Sequence, residues 1–156
     1  MELLPLLLAA PLMLWMAYGD LRYMRIPNRL VGALVLIFVL SVPFLPVESS
    51  MERLVAALFV LAVCFAAFAV GFFGGGDAKA LAAMMLLIPP GTLNLFGLVL
   101  SVSIVLGLGL VLTLRAAPGA QQARWVALRA RGMFPMGVSI AMAGLIHPFA
   151  VTALAF

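Results

Sequence analysis

The charged residues of this chain are confined to short intervals between five uncharged runs, residues 3–19, 30–47, 54–76, 80–114 and 132–156. A hydrocarbon core about 30 Å thick takes about 20 apolar residues per helical crossing, with about 17–25 tolerated. Four of the runs therefore have the length of single crossings. The fourth, 80–114, holds 35 residues and is interrupted by Pro89-Pro90-Gly91. Two prolines remove backbone donors and clash with the preceding turn, so this run is expected to form a hairpin of two helices, the first of them short. The expected fold is all-α: a polytopic membrane protein of about six transmembrane helices, forming one integral-membrane domain over residues 1–156. With 67% hydrophobic and 9% charged residues, against about 25% charged in an average soluble domain, the chain is outside the class of soluble enzymes, disordered tails and disulfide scaffolds.

The net charge of +4 would suggest nucleic acid only if the basic residues shared one solvated face. They are scattered instead, and no nucleic-acid partner is expected. Under the six-helix reading, Arg22, Arg25, Arg29, Lys79, Arg115, Arg124, Arg129 and Arg131 fall on one side of the membrane. Only Arg53 of the nine basic residues falls on the other, with Glu2, Glu48 and Glu52. The excess marks the cytoplasmic side and puts both termini on the non-cytoplasmic side. Membrane lipid is then the expected neighbour of the arginines. The opening residues carry Glu2 and no basic segment, so they are read as a retained first helix and not as a cleaved signal. The single cysteine, Cys64, can form neither an intrachain disulfide nor a Cys-based metal site. The stretch Ala120 to Arg129 has the pattern of a short helix lying in the interface.

Two acids stand apart from the others. Asp20 is expected to close the first helix and Asp77 to follow the third, which brings both to the cytoplasmic face. Ionisable groups at the edge of apolar helices are costly and point to function. Asp77 follows Gly74-Gly75-Gly76, a run that favours an unwound or closely approached backbone. Asp20 precedes Ile26-Pro27-Asn28, where proline biases Ile26 to extended geometry. Two carboxyls brought close cannot both ionise cheaply. One then takes a proton from water while the other donates to a carbonyl oxygen and later to a leaving nitrogen. The plainer alternative pairs Asp20 with Arg22 or Arg25, and Asp77 with Lys79. Lys79 otherwise anchors its helix at the interface, and Asn28 either bonds the site or caps the second helix. His147 before Pro148 reads as a satisfied polar group in a kinked helix, and the methionines as gap fillers or lipid-facing residues. Gly107 and Gly109, with Ser101 and Ser103, suit close helix packing.

The segments Gly19-Asp20-Leu21-Arg22-Tyr23-Met24-Arg25-Ile26-Pro27-Asn28 and Gly74-Gly75-Gly76-Asp77-Ala78-Lys79 resemble the two signature motifs of the type IV prepilin peptidases. Their order, and Phe134-Pro135-Met136-Gly137 at the start of the last helix, are also similar to that family over essentially the whole chain. The resemblance implies an intramembrane aspartic endopeptidase that removes the short basic leader of pilin-like precursors. Asp20 and Asp77 would be the catalytic pair, and Gly74, Gly75, Gly76, Lys79, Pro27 and Asn28 supporting or substrate-binding residues. It implies no cofactor and no metal, with pilin-like precursors as substrate and the pilus assembly machinery as a partner; the oligomeric state stays open. The short first polar loop and the lone Cys64 resemble the short peptidases of tight-adherence (Flp-type) pili, which implies that methyltransferase activity is absent. Two rivals of other classes are a small transporter or proton-conducting subunit using the same aspartates, and a non-enzymatic assembly subunit.

Overall fold

The computed structural model describes residues 2–72, 74–122, 124–130 and 133–154; Arg131, counted above with the cytoplasmic arginines, lies outside them. Helix is the regular structure throughout the described residues: α1 (Leu4–Leu8), α2 (Ala10–Tyr23), α3 (Asn28–Ser41), α4 (Val47–Ala69), α5 (Gly75–Leu87), α6 (Leu93–Ala116), α7 (Val126–Arg129) and α8 (Met136–Leu154). Three helices, α4, α6 and α8, are long and apolar enough to cross a membrane singly. The first crossing is α1 and α2 in series, broken at Ala9 ahead of Pro11. The shorter α3 and α5 complete the bundle.

Proline sets the boundaries. Ile88 is extended before Pro89 and ends α5 after 13 residues, because a residue preceding proline avoids the helical region. A 3-10 turn, Pro90–Thr92, then delivers the chain into α6, giving the hairpin that the length of the run required. Pro27 is likewise extended and starts α3. Asn28 is therefore the first helical residue and not the cap, and its side chain makes no capping bond.

At about 1.5 Å per residue, α5 is about 20 Å long, too short to span alone. It succeeds because protein encloses it. Every residue from Leu81 to Pro89 is buried, and α5 packs against α4, α3 and α8. Its sequence after Lys79, Ala-Leu-Ala-Ala-Met-Met-Leu-Leu, has no polar face, as a helix surrounded on all sides should not. Met84 and Met85 are buried with Met13 and Met16; these methionines fill the core and do not face lipid. Outside this centre, Val55, Leu58, Phe59 and Phe65 on α4 and Leu98, Val102, Val105 and Leu106 on α6 are exposed, forming the apolar belt that hydrocarbon would cover.

Helix α8 packs on α6 and α2. Gly107 and Ser103 are buried there, and a Cβ at Gly107 would stand 2.5 Å from Ser139 Oγ. Gly109 faces open space and Ser101 bonds its own helix at Gly97, so only half of the expected small-residue set serves the contact.

The lone basic residue on the sparse side has a structural role that the charge count did not reveal. Helix α4 begins at Val47, so Glu48, Glu52 and Arg53 belong to its first two turns and not to a loop. Arg53 is fully buried. Its guanidinium donates to the carbonyls of Leu87 at 2.9 Å and Glu2 at 2.8 Å, and pairs with Glu2 Oε2 at 2.9 Å. A weaker bond reaches Leu86 O at 3.4 Å, and Ser49 adds a bond to Glu2 at 3.0 Å. The end of α5, whose last carbonyls have no partner within their own helix, is thus capped by a side chain from α4.

At the same end His147 is buried, with Nε2 2.9 Å from Thr92 Oγ1 and its ring edge-on to Phe96. The histidine is satisfied on one nitrogen, while Nδ1 has no hydrogen-bond partner.

Candidate active site

The opposite end of the bundle carries the aspartates. Helix α2 continues to Tyr23, so Asp20 lies in its last turn and does not close it. Met24 then takes a left-handed conformation (φ 50), its N–H bonding to Asp20 O at 2.8 Å. This region is sparsely used by residues with a side chain. After the reversal at Met24, the non-helical segment ending in the extended Pro27 carries the chain past the start of α5. There Ile26 lies beside Gly76, within 3.5–3.8 Å of where a Cβ would project.

The glycine run is more helical than expected. Only Gly74 is extended, as the N-cap of α5; Gly75 and Gly76 are its first turn, and Asp77 is the third helical residue. The Asp77 carboxylate folds back over the cap, and a Cβ at Gly74 would come within 2.5 Å of Oδ2. A side chain at position 74 would therefore displace the carboxylate.

Asp20 and Asp77 line one open cavity of about 1240 Å³, together with Pro27, Asn28, Lys79 and all three glycines. Every site residue singled out in the sequence reaches this cavity. Asp20 is 4% exposed, and Asp77 is half-buried. Neither carries a counter-ion: the Arg53–Glu2 pair is the one salt bridge among the described residues. The plainer alternative, in which Arg22 or Arg25 pairs with Asp20 and Lys79 with Asp77, is not met among the described residues. Arg22 instead bonds the Tyr18 hydroxyl and lies over the rings of Tyr18 and Tyr23. Lys79 Nζ reaches Asn28 Oδ1 at 3.5 Å on the exposed rim.

The cavity has a wall that sequence reasoning missed. Val126, Met133 and Phe134 contribute to it, brought there by the polar segment after α6. The single interfacial helix expected over 120–129 is divided into a 3-10 turn, Ala120–Gln122, and the four-residue α7. Trp125 packs edge-on against Tyr18 at 6.2 Å. Arg115 donates to Ala127 O at 2.9 Å and Met133 O at 2.6 Å, stitching the segment to the end of α6. The signal was present in Phe134, already part of the motif at the start of the last helix, and in the apolar Val126 and Met133 that precede it.

A buried, hydrogen-bonded carboxylate and a half-buried second one thus line the same open cavity at one end of an apolar helical bundle of the membrane-spanning class. The chain belongs to the type IV leader peptidase family, whose sequence profile matches residues 7–114, from α1 through nearly all of α6. It is a membrane peptidase, and the substrates that its family implies are prepilin-like. Comparison with curated proteins and with solved structures gave no match.

Proposed function

We propose that this chain removes the N-terminal leader of type IV, Flp-like pilin precursors at the cytoplasmic face of the bacterial inner membrane, with Asp20 and Asp77 as the catalytic pair. The observation that carries this reading is the absence of a cation beside either carboxylate among the described residues, although both line one cavity. Acids kept for structure at such a depth are expected to be paired. With no cation beside them among the described residues and a cavity in common, they suit a shared proton. The ionised carboxylate takes a proton from water as the hydroxide oxygen bonds to the scissile carbonyl carbon. The protonated one donates to the carbonyl oxygen, and then a proton passes to the leaving nitrogen as the C–N bond breaks.

Orientation follows from the charge count. Glu2 and Val151, near the two ends of the chain, line a common cavity of about 830 Å³ at the end away from the aspartates. With the arginine-rich side inward, this end faces outward and the aspartates face the cytoplasm, where a leader would be held. The pilin helix would lie against the apolar belt and present an extended scissile segment near Gly74. No metal or cofactor is required by this chemistry, and an N-methyltransferase step is not part of the proposed activity.

The test is cleavage of a Flp-like precursor by the full-length protein in liposomes, read by mass of the released leader. A single cut after the leader supports the reading; no cut across a panel of pilin-like precursors would overturn it. Lys79 and Asn28 are expected to act at the rim. One hydrogen bond of this kind contributes about 0.5–1.5 kcal/mol, so Lys79→Ala should slow cleavage by about tenfold at most and leave the melting temperature unchanged. Abolished activity at unchanged stability would instead make Lys79 a catalytic residue.

A further inference from the structure

The start of α8 lies beyond the residues matched by the family profile, yet it touches the site directly. Gly137, the second residue of this 19-residue helix, donates its backbone N–H to Asp20 Oδ2 at 2.7 Å. First-turn N–H groups have no acceptor within their own helix, and they carry the positive end of its dipole. The bond is buried, where water cannot replace it.

A second, independent observation concerns space. A Cβ at position 137 would stand 2.9 Å from Asp20 Oδ2, 3.0 Å from its Cγ and 2.9 Å from Ile26 Cδ1. Real Cβ atoms do not tolerate such distances. The isoleucine tip can swing away, but the carboxylate is the group that the site needs in place. Only glycine allows the backbone of α8 to approach Asp20 this closely.

Resting on the peptidase reading above, we propose that Gly137 is a positioning residue for Asp20. Its N–H occupies Oδ2, with the next backbone N–H of the helix, that of Val138, also directed at the carboxylate, and so fixes the carboxylate rotamer. The last helix, through its backbone, is then a third component of a site otherwise built from α2 and α5.

The test compares four full-length proteins in liposomes: wild type, Gly137→Ala, Gly137→Ala with Ile26→Val, and Gly144→Ala. Position 144 is a control on the same helix, where the atoms nearest to an added Cβ are the flexible ends of Met84 and Met13 and not a site carboxylate. A displacement of about 1 Å at a reacting group costs about 100-fold in rate, so Gly137→Ala should lower kcat by about 10- to 100-fold with KM unchanged. Ile26→Val removes the Cδ1 contact alone and should not restore kcat, and Gly144→Ala should keep wild-type kcat. Wild-type kcat in Gly137→Ala, recovery by Ile26→Val, or an equal loss in Gly144→Ala would each reduce position 137 to ordinary packing. Carbodiimide labelling of Asp20, read by mass spectrometry, decides the contact without activity: labelling rises in Gly137→Ala if the N–H holds the carboxylate, and unchanged labelling overturns the proposal. A wild-type protein that cleaves nothing while its labelling responds as expected removes the peptidase reading and leaves the Gly137 contact standing.

Discussion

Asp20→Asn and Asp77→Asn should each reduce kcat by about 1000-fold, while both variants melt at or above the temperature of the wild type. Asparagine keeps the size of aspartate and, at position 20, an oxygen that can accept the Gly137 N–H, but it can neither take nor deliver a proton. Acid–base catalysis by one group is typically worth about 100- to 10,000-fold. The stability half of the prediction comes from the missing counter-ions. Asp20 is almost fully buried with no cation beside it among the described residues, so replacing a charge by a neutral amide removes a desolvation cost and breaks no ion pair. A rate within tenfold of wild type in either variant would falsify the two-aspartate mechanism. A large fall in melting temperature would make that aspartate a structural group after all.

Arg53→Met should be the most destabilising single substitution outside the aspartate end, at about 3 kcal/mol. The asymmetry of the pair makes this specific. Arg53 has a side-chain exposure of 0% and Glu2 of 42%, so Glu2 can turn to water when its partner is lost. The carbonyl of Leu87 cannot, because its bond to the guanidinium is buried. Glu2→Gln, which keeps an acceptor for the arginine, should cost only about 1 kcal/mol. Denaturant unfolding of the purified protein in detergent separates the two cases. Equal costs would mean that the ion pair, and not the capping of α5, holds this end together.

The architecture was legible because apolar runs, charged intervals and prolines act locally. The hairpin at Pro89-Pro90 follows from two residues that cannot continue a helix, whatever surrounds them. The pairing of Asp20 with Asp77 across one cavity was legible for a related reason: counting crossings fixes which loops share a face. What failed depended on long-range partners. Arg53 looked like a topological exception because nothing local records that Leu87, 34 positions later, offers it a carbonyl. Glycines were read for backbone freedom, yet Gly75 and Gly76 are ordinary first-turn residues, while the glycine with the closest approach to Asp20 is Gly137 on the last helix. A backbone N–H as a ligand leaves no side-chain signature at all. Asn28 was weighed as a cap because its position after Pro27 suits one, but the extended proline itself occupies that place and leaves Asn28 to Lys79.

Helix α5 is anchored at its carbonyl terminus by Arg53, and at its start the Asp77 carboxylate lies over Gly74. Its 13 residues consequently act as a ruler. Each residue added or removed would turn Asp77 about 100° around the axis and move it about 1.5 Å along it, away from the cavity it shares with Asp20. Side chains within α5 can vary so long as they remain apolar and of suitable volume, but the number of residues between the clamp and the carboxylate cannot. An insertion in the polar segments outside α5 leaves this spacing intact, whereas one within it does not.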